Sequence, residues 1–412
     1  MNRIGHYLGL NYTFSAISVV ISLMTYRYVS LNFSSAEASF FYFAMLVVMV
    51  SSAFELGFSR GIVTLLGERK WTFDSVAAVS IIGGLVLGLV GGAVVSLAIE
   101  LFTFDVVDAL VSDYSLTLAS IVAISIFNII QIAFIDNTKK FILGFALKIV
   151  NQILFLLVVF LVRNDAQLSL YSMMLITKIF AFTLTCASMA KYHSLFDLDR
   201  ITFSNILRRL IGYLGWSSVS TFSGITVNSV DRLFILNQFS GSSSYNNYSL
   251  IADNTLKGVS ITAILASSIL PFLNDDNAPR IKSIVWVILI ILSVGILILI
   301  IFSRYILQLW LGDSYEGLMN SIFVALVPGL IFTGFGQQFL ASLQGRGLVK
   351  GPAIMHFGVG VIYVLFLYSS IEFLSLVHIA VLWSVRAFID MVILALIHRY
   401  HENKNVCTSI QS

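Results

Sequence analysis

Long apolar runs separated by short polar clusters make up most of this chain of 412 residues. An α-helix needs roughly 20 mostly apolar residues to cross the hydrocarbon core of a bilayer. The runs that meet this requirement are Leu8–Val29, Ala38–Leu66, Ser75–Leu101, Leu116–Ile135, Phe141–Val162, Leu170–Ala190, Leu210–Leu236, Tyr245–Leu273, Ile284–Phe302, Gly317–Ala341, Ala353–Ser370 and Ser375–Ile397. The pattern predicts an all-α polytopic membrane protein with about 12 transmembrane helices.

Basic residues between the predicted spans indicate the orientation, because short cytoplasmic connections keep an excess of Lys and Arg. One set of alternate connections holds nearly all of them, whereas the opposite set holds Arg163 and Arg304 and is otherwise neutral or acidic. The richer set includes both ends of the chain and the stretch from Lys191 to Arg209. We therefore expect both termini in the cytoplasm, and we expect the first apolar run to be a retained helix rather than a cleaved signal.

The stretch from Lys191 to Arg209 is also the longest polar break, and it divides the predicted spans into two sets of six. We predict an N-terminal six-helix bundle over 1–195 and a C-terminal bundle over 196–412 with a short cytoplasmic tail. A shift of about 205 residues aligns Arg27 with Arg232 at the outer ends of the first helices of the two halves. This pattern favours two parallel repeats around a central cleft, which is a transporter architecture.

Composition narrows the class of protein further. Hydrophobic residues make up 58% of the chain and charged residues only 11%, against roughly a quarter charged in ordinary globular domains. The glycine run from Gly83 to Gly92 lies inside a span with no strand before it, so it predicts a helix-packing face rather than a nucleotide loop. Cys186 and Cys407 are expected to be free thiols. The sequence has no metal-site cluster, nucleophile motif or cofactor motif, so we expect neither an enzyme nor a cofactor, and no nucleic-acid partner.

Charged residues inside the spans are the candidate functional groups, because a charge near the bilayer centre costs about 2.5–3.5 kcal/mol and normally faces a cavity or a partner. The central positions are more often basic than acidic. They are Arg60, Lys148, Lys178, Lys257 and Arg386 against Glu55, Asp253 and Asp390, with Arg27, Asp231 and Arg232 nearer the outer rim. This surplus of positive charge favours an anionic ligand.

Several of these positions have a second interpretation. Asp253 with Lys257, and Arg386 with Asp390, are four residues apart and can form structural pairs on one helix face. Long basic side chains such as those of Arg60, Lys148 and Lys178 either line a cavity or extend to the membrane interface. Polar residues inside spans, namely Asn128, Gln131 and Asn228, either line a polar lumen or form hydrogen bonds between helices.

Local motifs resemble a known group of transporters. The segments that carry the resemblance are Phe54–Arg60, Val230–Leu236, Tyr248–Ala252, Leu309–Tyr315 and Gln337–Leu340. They are similar to polysaccharide flippases of the O-antigen type, in the multidrug, oligosaccharidyl-lipid and polysaccharide exporter superfamily, and the layout of 12 spans with a cytoplasmic break covers the whole chain. The resemblance implies movement of an undecaprenyl-pyrophosphate-linked oligosaccharide across the bacterial cytoplasmic (inner) membrane.

The resemblance also gives the intramembrane residues roles. Head-group and sugar contacts are assigned to Arg60, Lys148, Lys178, Lys257, Arg27, Arg232, Asn128 and Asn228, and coupling to protons or sodium is assigned to Glu55, Asp231 and Asp253. The partners it implies are the lipid-linked substrate, membrane lipid, a polysaccharide polymerase and a chain-length regulator.

Three alternatives stay open at this point. A drug or cation antiporter of the same superfamily would have the same topology, but its lumen should be acidic rather than basic. A membrane polymerase acting on lipid-linked sugars should have a substantial outer loop, whereas the connection from Phe102 to Ser115 is short and lacks Arg and His. A non-enzymatic lipid scaffold is the third.

Overall fold

A computed structural model describes residues 2–55, 57–67, 71–101, 115–137, 141–162, 170–190, 200–238, 243–269, 278–345 and 348–411. Throughout these ranges the regular structure is helical, with no strand, which confirms the predicted all-α class. The side chain of Arg60 lies outside the description, although its backbone belongs to a helix.

The helices follow the predicted spans closely. They are α1 Asn2–Asn32, α2 Ser35–Ser51, α3 Phe58–Gly67, α4 Phe73–Leu101, α5 Ser115–Asn137, α6 Phe141–Val162, α7 Leu170–Met189, α8 Arg200–Val227, α9 Val230–Gln238, α10 Ser243–Ile269, α11 Ala278–Ile301, α12 Ser303–Leu311, α13 Gly317–Gly345, α14 Lys350–Ser370 and α15 Leu376–Gln411. Short 3-10 turns occupy Ser52–Glu55, Gly312–Ser314 and Ile371–Phe373.

Two predicted spans are broken rather than continuous, which corrects the sequence-based prediction. The span Ala38–Leu66 consists of α2, the turn Ser52–Glu55 and α3, and Gly57 between them has φ 72°. That left-handed conformation stops a right-handed helix and suits glycine. The span Leu210–Leu236 consists of α8 and α9, separated at residues 228 and 229.

Six helices in the described ranges are long and apolar enough to cross a membrane, and the pair Trp286–Ile301 and Ser303–Ser314, bent by 73°, would add a seventh. Two shorter apolar helical stretches, Ala146–Leu161 and Met174–Met189, lie within α6 and α7. Apolar side chains cover the outer faces of these helices, as Leu89 of α4 at 69% exposure and Ile291 of α11 at 63% show. Such stripes are unfavourable in water and are normal in lipid, so this is a multi-pass membrane protein.

The chain forms two compact units, Val20–Ser229 and Met1–Val19 with Val230–Ser412. In the first unit, α8 contributes Ile206 and Leu210 to a buried apolar cluster with Ile62 and Leu65 of α3 and Ile126 of α5. Helix α8 therefore belongs to the first unit by packing, although it follows the polar stretch at which the sequence predicts a boundary. The division into 1–195 and 196–412 stays a prediction about domains.

Glycines let α4 and α5 approach closely in the first unit. A Cβ at Gly88 would lie 2.6 Å from the carbonyl oxygen of Ala123, and one at Gly92 would lie 2.7 Å from that of Ala119. The glycine run is thus a helix-packing face, as predicted. The same pair of helices is joined by Gln131, whose Nε2 donates to the carbonyl oxygen of Ser80 at 2.8 Å.

In the second unit, α13 packs on α15 and on α10, and α14 packs on α15. Leu340 and Leu343 of α13 form a small buried cluster with Met355 of α14 and Leu394 of α15. This packing holds the charged residues of α9, α10, α14 and α15 inside one unit.

Candidate functional site

A buried ionic cluster connects the start of α9 to the middle of α10 in the second unit. Arg232 is 1% exposed, and its guanidinium forms an ion pair with Asp253 of α10. Asp231 lies beside it, with Oδ1 3.7 Å from Nε of Arg232. The hydroxyl of Tyr248, also on α10, donates to Oδ2 of Asp231 at 2.6 Å. Asp231 is in the first turn of α9, where a carboxylate is stabilised by the helix dipole.

Lys257, one turn beyond Asp253 on α10, is half-buried. Its Nζ donates to Oδ1 of Asn254 at 3.2 Å. A spacing of four residues predicts that Asp253 pairs with Lys257, and the structure adds an ion pair between Asp253 and Arg232 on another helix. Helical spacing alone cannot reveal a partner of this kind.

A second charged group lies between α14 and α15. Arg386 is 7% exposed, and its Nη1 lies 3.5 Å from Oδ2 of Asp390, which confirms the predicted pair on one helix face. Nδ1 of His356 on α14 lies 4.0 Å from Oδ1 of the same carboxylate. The guanidinium of Arg386 also sits over two aromatic rings, 5.4 Å from the centroid of Trp383 and 5.9 Å from that of Tyr363.

Tyr363 lies beside the second charged group. Its buried ring is under the guanidinium of Arg386, and Asp231 and Arg232 of the first group also act electrostatically on its hydroxyl. Within the described part of the chain this hydroxyl has no hydrogen-bond partner. The interior of the second unit therefore contains a set of buried or half-buried polar residues, which we call the polar track: Asp231, Arg232, Tyr248, Asp253, His356, Tyr363, Arg386 and Asp390.

The first unit contains the other cationic candidates. Lys178 of α7 is half-buried, and among the described residues no carboxylate lies within ion-pair distance of it. Lys148 of α6 is exposed, and α6 packs on α7. Asn128 is 7% exposed, with an Oδ1 that has no hydrogen-bond partner in the described ranges, and the same is true of Oδ1 of Asn151.

The remaining candidates lie at helix ends and breaks. Arg27, near the end of α1, is exposed. Oε1 of Glu55 accepts from the backbone N of Ser59 at 2.9 Å, so this carboxylate caps the start of α3 beside Arg60. Asn228 is half-buried in the break between α8 and α9. Arg27 and Arg232, which the internal repeat aligns, thus occupy different environments.

Sequence reasoning missed the uncharged and weakly basic members of the polar track. Tyr248, His356 and Tyr363 have no charged neighbour at helical spacing on their own helices that would draw attention to them. Tyr248 belongs to a segment that resembles the family, but the sequence does not indicate that it donates a hydrogen bond to Asp231. A search for every titratable residue inside a span, rather than for Asp, Glu, Lys and Arg alone, would have found His356.

No protein-family model matches the chain. A curated relative, the putative O-antigen transporter of Shigella flexneri, is 28% identical over 193 residues, which is 45% of this chain and 46% of the relative. The chain thus matches about half the length of that curated relative.

Solved structures are similar over nearly the whole chain. The inward closed conformation of the lipid II flippase MurJ has a TM-score of 0.71 at 16% identity, covering 94% of this chain and 87% of that chain. The inward-facing conformation of a multidrug resistance MATE family transporter of the MOP superfamily has a TM-score of 0.68 at 15% identity, covering 95% of this chain and 96% of that chain.

These similarities agree with the motifs quoted above. The fold is the polytopic helical fold of MOP superfamily transporters and of a lipid flippase, and the resemblance to O-antigen flippases is confirmed as a similarity in sequence. The three named proteins are transporters or flippases and not enzymes, in line with the sequence-based exclusion of an enzyme. The roles of individual residues stay predictions.

Proposed function

We propose that this protein is a flippase that carries an undecaprenyl-pyrophosphate-linked oligosaccharide, an O-antigen repeat unit, from the inner to the outer leaflet of the bacterial cytoplasmic membrane. Transport would proceed by alternating access coupled to protons or sodium. The observation that carries the proposal is the similarity over 193 residues to a putative O-antigen transporter. The fold shared with a lipid II flippase supports it.

The first unit offers positive charge for the head group. A pyrophosphate is anionic and cannot cross hydrocarbon unaided, so a carrier must supply compensating cations. Lys178 is half-buried with no carboxylate in ion-pair distance among the described residues, and Lys148 lies on the adjoining helix. Arg60 and Arg27 are the further cations of this unit in the proposal.

Polar side chains of the same unit suit the sugars. The carbonyl oxygens of the Asn128 and Asn151 side chains lack hydrogen-bond partners in the described ranges. A buried amide oxygen without a partner costs roughly 1–3 kcal/mol, so a sugar hydroxyl that bonds to it gains that free energy back. Asn228, in the break between α8 and α9, is the third polar contact of the proposal.

Carboxylates of both units are the proposed coupling groups. Asp231 and Asp253 both contact Arg232, so a proton or sodium ion that neutralises either one weakens the hold on that guanidinium. Arg232 would reach a head group only after such neutralisation, and Lys257, one turn beyond Asp253 on the same helix, is the further cation of this unit in the proposal. Glu55 caps α3 at the break in its span, where a change of charge would alter the geometry of the break.

An antiporter of drugs or other cations is the second candidate, because a multidrug transporter shares the fold at a TM-score of 0.68. The cationic surplus inside the spans argues for the flippase. We propose in addition that both termini are cytoplasmic, that surrounding membrane lipid holds the polyprenyl tail, and that a polysaccharide polymerase and a chain-length regulator act with this protein.

The test of the flippase is the fate of the lipid-linked repeat in cells that lack this protein. We expect undecaprenyl-pyrophosphate-linked repeat units to accumulate on the cytoplasmic side, and complementation with the wild-type chain to remove them. Normal surface polysaccharide in the deletion strain, without accumulation, would contradict the flippase and favour the antiporter.

The cationic residues are tested in the same strain with charge-neutral variants. We expect Arg60→Gln, Lys148→Gln and Lys178→Gln, combined in one chain that is expressed normally, to leave the repeat units on the cytoplasmic side. Arg304→Gln is the matched control, because Arg304 is exposed at the start of α12. If the triple variant transports like the control, the cationic site is wrong.

A further inference from the structure

We propose that His356 and Asp390 form a single proton-binding site inside the second unit, and that this site couples transport to the proton gradient. The proposal rests on the proposed function for the transport step, but the binding of the proton is a property of the protein alone. Neither residue is among the coupling groups considered above.

The carboxylate of Asp390 is incompletely satisfied. Its Oδ2 faces Nη1 of Arg386 at 3.5 Å, and its Oδ1 faces Nδ1 of His356 at 4.0 Å. Oδ1 is buried and accepts no hydrogen bond in the described ranges. Buried carboxylate oxygens normally have a partner, because leaving one without a bond carries the full cost of its desolvation.

A proton would complete this arrangement. The imidazole and the carboxylate are 14% and 15% exposed, so a proton on Nδ1, which faces Oδ1, is largely held away from bulk water. Binding adds one positive charge to the site, and the carboxylate then no longer fully balances Arg386. Release of the proton restores the pair between Arg386 and Asp390.

The helices around the site carry few other titratable groups, and the buried histidine among them, His398 of α15, has its Nε2 3.0 Å from the hydroxyl of Ser342 on α13. Helix α13, which packs on α15, carries no Asp, Glu, Lys, Arg or His. Helix α9, which packs on α14, contributes Asp231 and Arg232, which contact each other. Glu372, in the turn after α14, is exposed, and Asp253 and Lys257 lie on α10.

The site is also connected to the rest of the polar track. Arg386 lies over the ring of Tyr363, whose hydroxyl has no hydrogen-bond partner among the described residues and is affected electrostatically by Asp231 and Arg232. A change of charge at His356 and Asp390 therefore acts electrostatically on Asp231 and Arg232 at the start of α9.

Proton binding is tested directly by the fluorescence of Trp383, whose ring is 5.4 Å from the guanidinium of Arg386. The other tryptophans, Trp71, Trp216, Trp286 and Trp310, are replaced by Phe. We expect the purified protein to show a single titration between about pH 5 and 8, the range in which His changes charge. The titration should be lost in His356→Gln and in Asp390→Asn, and kept in Asp390→Glu and in His378→Gln. His378 is exposed on the same helix as Asp390 and is the matched control.

Coupling is tested in proteoliposomes that hold a labelled undecaprenyl-pyrophosphate-linked oligosaccharide. One proton per cycle allows about tenfold accumulation per unit of pH gradient. We expect the wild type to approach that ratio, and His356→Gln and Asp390→Asn to equilibrate the substrate at a ratio of about one.

A fluorescence titration that is unchanged in both variants, or absent from the parent protein, would overturn the proton site. Accumulation by both variants at the wild-type ratio would overturn its role in coupling. If the wild type moves no lipid-linked oligosaccharide at all, the proposed function fails, while the titration still decides whether the site binds a proton.

Discussion

The close packing of α4 on α5 depends on the absence of a Cβ atom at glycines of α4. A Cβ at Gly88 would stand 2.6 Å from a backbone oxygen of the facing helix, which cannot move aside as the end of a flexible side chain can. The exposed Gly295 of α11 has nothing within 4 Å of the same position. The sequence predicted the packing face at Gly83–Gly92, because small residues at helical spacing have that use in membranes.

We expect Gly88→Ala to destabilise the protein by about 1–3 kcal/mol through overpacking. Gly295→Ala should be neutral or slightly stabilising, since Ala favours a helix over Gly by about 1 kcal/mol. Thermal unfolding of the two purified variants in the same detergent measures the difference. Equal midpoints would mean that α4 and α5 are not packed as closely as the structure shows.

Arg232 is the residue on which the buried cluster of the second unit depends. Replacing it by Gln removes the guanidinium that pairs with Asp253, and loss of one member of a buried pair costs about 3–5 kcal/mol. The double variant with Arg232→Gln and Asp253→Asn removes both charges, so we expect it to recover a large part of that loss. Thermal unfolding of the single and double variants measures the recovery, and a purely additive result would show that the two side chains do not interact.

At the scale of helices, hydropathy predicted the number and the order of the spans but not their internal breaks. Apart from Glu55, the residues from Ser52 to Gly57 are small or apolar enough to continue a span, and the left-handed backbone at Gly57 is visible only in the folded chain. The break after α8 likewise consists of Asn228 and Ser229, two uncharged polar residues of a kind that also occurs inside membrane spans. The carboxylate of Glu55 caps the start of α3 and so stabilises the first of these breaks.

A side chain also enters the hydrogen bonding of α13 next to Pro328. The hydroxyl of Ser384 on α15 accepts from the backbone N of Gly329 at 3.2 Å and donates to the carbonyl oxygen of Ala325 at 2.5 Å. It thereby bridges two groups that would bond directly in a straight helix. Ser384 thus connects α13 to α15 at the irregular turn.

We expect Ser384→Ala to lower stability by about 1–3 kcal/mol, because both backbone groups lose a buried partner. Ser369→Ala is the control, since Ser369 is exposed and donates only to its own helix, at the carbonyl oxygen of Phe366. Denaturation curves followed by circular dichroism separate the two. A loss of stability in Ser384→Ala no larger than that in Ser369→Ala would contradict the bridge between α13 and α15.

For the whole molecule, composition and span pattern predicted a polytopic helical membrane protein, and the fold shared with MOP superfamily structures agrees. The sequence did not predict which helices pack together in each unit. Helix α8 follows the polar stretch, yet it packs into the first unit through Ile206 and Leu210. The site was predictable only in part. Charged residues stand out in an apolar chain, but their partners on other helices do not.

The predicted orientation is a property of the whole chain and is tested with reporter fusions. Because the basic connections place both termini inside, we expect a C-terminal green fluorescent protein fusion to fluoresce and a C-terminal alkaline phosphatase fusion to be inactive. Fusions in the connection between α4 and α5 should give the opposite result. Active phosphatase at the C-terminus would reverse the orientation and the proposed direction of transport.

The most direct test of the central claim is movement of a lipid-linked oligosaccharide by the purified protein. Proteoliposomes are loaded with undecaprenyl-pyrophosphate-linked oligosaccharide, and the fraction reached by an added glycosidase is followed over time. We expect wild-type protein to bring substrate from the inner leaflet within reach of the glycosidase. The variant with Arg60→Gln, Lys148→Gln and Lys178→Gln should do so no faster than protein-free liposomes. Wild-type protein that leaves the inner pool protected, while it exchanges an organic cation, would contradict the flippase and establish the antiporter.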